Sequence, residues 1–296
     1  MLKSVACITY VVADYDASAA ALSEFLRHRL VREAVIGDAL ADFWHAPATA
    51  GRRYGLFQPQ SGEPCLIRLI DDPDAGDVKP FTTCGWNATE IHVRDVHGLA
   101  KSLQGSPYRI LGGPRDLLGN GTAIALQIAG PSNEALYLTE INSAAMQKTY
   151  GRAESAVGRT FIVVLGASEH AASMAYYGDL TGRRTRPRRF AIRVLADAHG
   201  LDYESDRFLI GSAPLQDAYR IEIDGYPASA GQRIVKEGHL PPGMAIVTMK
   251  GASATALPQL STSNLHGVTE APYFEKPTCL LEGPDREIVE IVDAEE

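Results

Sequence analysis

Hydrophobic and polar positions along the chain fall into one order of elements that recurs four times. Near the start, SVACITYVVADYD has the β-branched and aromatic enrichment of a strand, and ASAAALSEFLRHRL then places Leu22, Phe25, Leu26 and Leu30 at helical spacing. Asp14 and Asp16 precede that helix, where a carboxylate accepts the free N–H groups of a first turn. Three short apolar runs follow, ALADFWHA, RRYGLFQP and PCLIRLID, separated by Gly, Pro and polar residues as strands joined by turns would be. The order predicted is strand, helix, three strands.

The same order returns in NATEIHVRDV, HGLAKSLQG, YRILGGP, TAIALQIAG and EALYLTEI. A third unit runs through RTFIVVLGAS, EHAASMAYYGDLTG, DRFLIGSAP and DAYRIEID. Its middle, FAIRVLADAHGLD, spaces Ile192, Leu195, Ala196 and His199 as an amphipathic helix rather than a strand. A fourth unit runs through GMAIVTMKGAS, SATALPQLST as a helix, HGVTEAPYF, PTCLLEGPD and EIVEIVD. NSAAMQKTYGRAESAVG reads as the connector between two halves, at residues 1–143 and 158–294, each holding two units.

Composition narrows the function. The 296 residues are 45% hydrophobic and 22% charged, which suits globular domains. A net charge of -8 argues against nucleic acid as a partner. Against that sign stands the basic run Arg183, Arg184, Arg186, Arg188 and Arg189, which reads as a solvated loop or as a grip on a phosphate or carboxylate. No apolar stretch is long enough to span a bilayer, and the chain starts directly in a strand, so neither membrane nor signal peptide is expected. Cys7, Cys65, Cys84 and Cys279 are dispersed, as buried thiols in a reducing compartment would be, and the cytoplasm is the expected location.

Two segments carry a family resemblance. SEHAASMAYYGDLTG resembles the module helix, and GPDREIVEIVD the last strand, of the vicinal-oxygen-chelate (glyoxalase/bleomycin-resistance/dioxygenase) proteins. The resemblance implies an α+β fold of four βαβββ modules paired into two cup-shaped domains. It also implies ligand groups on the first and last strand of each module, commonly a His and a Glu around a divalent metal. Those positions fall here on Cys7, Ala88, Ile162 and Ile246 in the first strands and on Arg68, Tyr137, Glu222 and Glu290 in the last. None is a histidine, so no metal is favoured.

Period-two alternation along NATEIHVRD turns Ala88, Glu90 and His92 to one face, the cup interior of the resemblance. His92 as base or acid, Glu90 as its orienter, and Arg68 with Tyr137 as anchors for a carboxylate or enolate would give a metal-independent lyase or isomerase acting on a small oxygenated organic molecule, with an aromatic one as a candidate. The same charged groups would also form a purely structural network. A second reading is an antibiotic-type binding protein, whose pocket Phe43, Trp44, His45, Tyr54 and Trp86 would line. A third is a metal enzyme with atypical ligands drawn from Glu222, Glu290 and His266 or His239. The expected partner is a small molecule, and an exposed sheet edge would support a homodimer.

Overall fold

In the computed structural model, residues 2–251 and 263–294 are described. The four modules are present, and the fold is α+β, with two eight-stranded curled sheets and short helices packed against them. Module one comprises β1 (Leu2–Val12), α1 (Tyr15–Glu24), β2 (His28–Val35), α2 (Asp38–Phe43), β3 (Arg53–Pro59) and β4 (Leu66–Asp71). Module two comprises β5 (Gly85–Val93), α3 (Val96–Ser102), β6 (Arg109–Asp116), β7 (Ala123–Ala129) and β8 (Ala135–Ile141). After α4 (Ala144–Tyr150), module three has β9 (Val157–Ala167), α5 (His170–Thr181), β10 (Arg188–Phe190), α6 (Arg193–His199), β11 (Phe208–Pro214) and β12 (Arg220–Gly225). Module four has β13 (Gly243–Gly251), β14 (Ser263–Leu265), β15 (Thr278–Glu282) and β16 (Ile288–Asp293).

Three local readings change. RHRLVREAV is strand β2 and not the end of the first helix: Arg27 leaves the helix with a φ of 56°, and the segment then pairs antiparallel with β3. ALADFWHA begins as helix α2, in which Ala41 and Phe43 are buried, because β2 already occupies the strand position it was expected to fill. HGVTEAPYF forms no strand beyond Leu265; it bends to bring Tyr273 inside. The helix expected in SATALPQLST lies outside the described residues. Helix α6 forms where the periodicity placed it.

The sheets do not pair the modules in chain order. One has the order β14-β15-β16-β13-β1-β4-β3-β2 and joins module one to module four; the other has the order β10-β11-β12-β9-β5-β8-β7-β6 and joins module two to module three. The joints are antiparallel pairings of first strands, β1 with β13 and β5 with β9. Pairing within each half was the simpler expectation from sequence. It fails at this point because the unpaired edge of each first strand meets a first strand from the other half, which closes the sheet without leaving that edge open.

Neighbours in sequence meet instead through helix ends and a shared core. The GPSNE turn before β8 offers Ser132, whose hydroxyl accepts from the Asp14 N–H at 3.0 Å and from the Ser18 hydroxyl at 3.2 Å at the start of α1. The GPDRE turn before β16 repeats the device: the Asp285 carboxylate accepts from the Ser168 N–H at 3.1 and 3.2 Å, just before α5. In each turn a glutamate two residues on, Glu134 or Glu287, accepts from the backbone N–H of that residue at 2.8 Å. Between the two sheets lies one core containing Tyr10, Leu22, Trp86, Ile91, Tyr177 and Val247. Tyr10 donates across it towards Thr89 and the Ala135 carbonyl, both at 3.2 Å.

Asp285 is buried and serves the entry of a helix from another module, so Asp285→Ala should cost about 1–2 kcal/mol of unfolding free energy in urea. An unchanged midpoint would show that this helix end is not held by that turn.

Candidate functional site

The register of the inner sheet, formed by modules two and three, lays its interior side chains in rows. Tyr137 on β8 pairs with Glu90 on β5, Glu90 with Ile162 on β9, and Ile162 with Arg220 on β12. The next row is Ala135, Ala88, Val164 and Glu222, and one step further Gly85, Gly166 and Asp224 align. Because side chains alternate along a strand, Glu90, Tyr137, Arg220, Glu222 and Asp224 all face one side. They line a cavity of about 540 Å³, within the range of small-molecule sites.

Three carboxyl groups therefore share one enclosure. Burial, and then the neighbouring Glu222, push Glu90 up to about 8, against a hydrogen bond at 2.5 Å from the Thr139 hydroxyl that favours its charged form. Burial raises Glu222 to about 7, with Arg220 pulling the other way. Asp224 is raised well above its ordinary range by burial, then by Glu222 and Glu90, and its Oδ1 has no hydrogen-bond partner among the described residues. Burial also raises the Tyr137 phenol, so it keeps its proton and remains a donor. All three carboxyls are thus held towards their protonated forms by burial and by one another.

His92 shares the strand face of Glu90 but not its role. A bulge between β5 and β9 inserts Phe161, whose ring stacks on His92 at 3.7 Å. His92 Nε2 donates to the Tyr150 carbonyl at 2.9 Å, and burial lowers its pKa to about 4, so the ring is neutral and its Nε2 proton is engaged. The cavity is lined by Phe161 and Tyr150 in front of it.

The anchoring role expected of Arg68 beside Glu90 needs a correction, since Arg68 lies in the other cup. There the rows are Arg68, Thr9, Ile246 and Ile288, then Leu66, Cys7, Thr248 and Glu290. Arg68 and Glu290 thus occupy the positions that Tyr137 and Glu222 hold in the inner cup. This outer cup is filled. Trp44 Nε1 and the Thr248 hydroxyl each donate to Glu290 at 2.5 Å, and the Tyr273 hydroxyl donates at 2.8 Å. Arg68 donates to Tyr273 at 3.0 Å, and its guanidinium lies 5.1, 5.9 and 5.4 Å from the rings of Trp44, Tyr54 and Tyr273. All six side chains are buried, as is Phe43. The aromatic residues expected to line a pocket are the packing of this plug. His45 is exposed at a separate small cleft, which Trp86 also lines.

Glu222 and Glu290 are in different cups, His266 is exposed, and His239 holds Asp72 at 2.7 Å, so the atypical metal set is dispersed. Each cup offers one carboxylate and no imidazole at the four positions the resemblance marks. Among the described residues no three His, Cys, Asp or Glu side chains come together as metal donors. The donor set does not fit the divalent metal implied by the resemblance.

Arg220 and Asp224 were missed in the sequence, although the period-two run RIEID that places them on one face with Glu222 was readable there. Met146 and Tyr150 reach the cavity from the segment read as a connector, which forms helix α4 capped by the Ser143 side chain. The basic run does reach the site: Arg186 and Arg188 line the cavity. Among the described residues no helix is long and apolar enough to cross a membrane.

No protein-family model matches the sequence, and no curated protein matches it. Solved structures match its fold. A Bacillus subtilis protein named as a candidate dioxygenase has a TM-score of 0.62 at 14% identity over 99% of this chain and 86% of its own. Glyoxalase I from Zea mays has a TM-score of 0.61 at 14% identity over 98% of this chain and 92% of its own. The fosfomycin resistance protein FosX from Listeria monocytogenes, solved with Mn(II) and sulfate, covers 50% of this chain with 99% of its own at 10% identity and a TM-score of 0.34. The chain has the paired-module fold of glyoxalase I, as the sequence resemblance implied.

Two outcomes test the division between the cups. Glu290→Ala, which strands three buried donors, should cost about 3 kcal/mol in urea unfolding; a cost under about 1 kcal/mol would mean the outer cup is not a structural plug. In the inner cup the folded-state pKa values of Glu90 and Glu222 are raised above their unfolded values. Their contribution is therefore complete below about pH 4.5 and declines as pH rises through about 7 to 8. The melting temperature should fall between pH 5 and 8, and Glu90→Gln/Glu222→Gln should flatten that fall.

Proposed function

We propose that the inner cup binds a small oxygenated organic molecule and moves a proton on it, an isomerase- or lyase-type reaction run by carboxyl groups. The observation that supports this reading most directly is the pair Glu90 and Glu222, set diagonally across β9 in one cavity and both raised by burial towards neutral pH, where a carboxyl can give or take a proton.

Glu222, which no hydrogen-bond donor among the described residues holds as the Thr139 hydroxyl holds Glu90, is assigned as the base that takes a proton from a carbon next to a carbonyl. The electron pair of the broken C–H bond moves to the carbonyl oxygen, which Glu90, still protonated near neutral pH, protonates to give the enol. On an α-hydroxyketone this enol is an enediol: the Glu222 carboxylic acid returns its proton to the former carbonyl carbon, the hydroxyl on the carbon first deprotonated gives its proton to Glu90, and the carbonyl has moved by one carbon with both groups restored. Tyr137 donates to the oxygen as charge develops, and Arg220, in the same row as Glu90, adds a fixed positive charge to the same wall. His92 positions Phe161 and the Tyr150 backbone in this scheme, and its Nε2 proton stays on the Tyr150 carbonyl.

Exchange of carbon-bound protons with D2O, followed by NMR over a panel of ketones and α-hydroxyketones, tests the assignment. The protein should catalyse exchange on members of the panel, with the rate rising as pH passes about 7 and falling again above about 8. Glu222→Gln and Glu90→Gln should each slow exchange about 100-fold or more, while His92→Phe should change it only a few-fold. Full activity in Glu222→Gln would overturn the reading.

A further inference from the structure

The mouth of the inner cavity has a chemistry that the proton-transfer scheme does not use. One side is the β6–β7 turn, where the Asp116 carboxylate gathers the N–H groups of Leu118, Gly119 and Gly121 at 3.1, 2.9 and 2.5 Å and so presents Leu117 and Leu118 outward. Both leucines line the cavity and are 46% and 53% exposed, apolar surface that a ligand would remove from water. The other side is the segment 185–194 from module three, carrying Arg186, Arg188 and Phe190, which line the cavity as well. Tyr203 ties the two sides together: Arg115 from β6 lies 4.4 Å from its ring, and Arg193 from α6 lies 4.1 Å from it.

Arg115 and Arg193 are thus stacked, and Arg220 donates to Ser212 at 3.1 Å and lies over the Tyr150 ring at 4.3 Å. Arg186 and Arg188 differ. Among the described residues neither guanidinium has an ion pair, a hydrogen bond or an aromatic ring. Two exposed, unengaged guanidinium groups two residues apart on a chain of net charge -8, at the entrance of a cavity with an acidic floor, form a local reversal of sign. A ligand that carried only a carbonyl would leave both cations unused. One with an anionic group at its outer end would pair with them through charge-assisted, fork-shaped contacts. The leucines and Phe190 would cover the apolar body in between.

We infer that the inner cavity takes organic anions, molecules with an apolar body and a terminal carboxylate or phosphate that Arg186 and Arg188 hold at the mouth. This rests on the inner cup being the ligand site, as proposed above, and adds the substrate class. The reacting carbonyl then points to the floor because the anion is disfavoured there: near Glu90, Glu222 and Asp224 it would meet carboxylates of its own sign, or carboxyls that must keep or take up protons to accommodate it. The anchor also sets the direction of entry.

The test is binding and needs no turnover. Benzoate and phenyl phosphate, with benzamide and acetophenone as neutral counterparts, are titrated by NMR into the wild-type chain and into Arg186→Ala/Arg188→Ala. The expected result is that an anion binds about fivefold or more tightly than its neutral counterpart, that added salt narrows the difference, and that the double variant removes it. Arg186→Lys/Arg188→Lys, which keeps charge but loses the fork, should keep part of it. The better of the two anions identifies carboxylate or phosphate as the group held. Equal binding of anions and neutrals, or an anion preference that survives the alanine pair, overturns the inference. Anion binding without proton exchange on any ketone would leave it standing and remove the proton-transfer scheme instead.

Discussion

The antiparallel joint between β5 and β9 is the constraint from which the site follows. Pairing the first strands of modules two and three makes one continuous sheet of their eight strands, and the register at that joint decides which side chains lie opposite one another. It sets Glu90 against Ile162 and Ala88 against Val164, and through β12 it brings Arg220, Glu222 and Asp224 into the same concavity. A slip of one residue would turn each of these groups to the other face of the sheet. The bulge at the same joint moves Phe161 over His92 and closes that histidine off. Geometry at a single strand pair thus selects the carboxyls and withdraws the imidazole.

The two cups show how one architecture settles buried charge in two ways. Glu290 accepts hydrogen bonds from an indole and two hydroxyls, and Arg68 donates to Tyr273 among three aromatic rings, so the outer cup meets its carboxylate with donors of its own, although Arg68 Nη1 has no hydrogen-bond partner among the described residues. Glu222 has no such donors among the described residues, and its neighbours Glu90 and Asp224 add charge of the same sign. Proton uptake is the remaining way to lower the cost of burial. The difference comes from what lies above the strands: Trp44 and Tyr273 fold into the outer cup, whereas Tyr203 and its arginines stand at the rim of the inner one.

Much of the fold was legible because strand alternation and helix periodicity are local. NATEIHVRDV, TAIALQIAG and RTFIVVLGAS each announce a strand, and Ile192, Leu195 and His199 announce a helix. RHRLVREAV was not legible, since its residues suit a helix and only its pairing with β3 makes it a strand. Of the site, Glu90 and Tyr137 could be assigned to one cup from alternation along β5 and β8. Arg68 could not be excluded from it, because which module pairs with which is a long-range choice that no window of sequence records. The same choice hid the meeting of Glu90 with Glu222, and with it the chemistry of the pair.

The outer joint links the two ends of the chain, with Val5 opposite Met249. A ribosome releases β1 long before β13 exists. Until then the first strand has a free edge and module one half a cup, and its apolar interior, including Cys7, Val11 and Leu56, has no cover. Contacts this remote in sequence slow folding and lengthen the time such an edge is available to other chains. The outer cup therefore closes only once the fourth module has been made, so its first half is completed by a segment more than two hundred residues away.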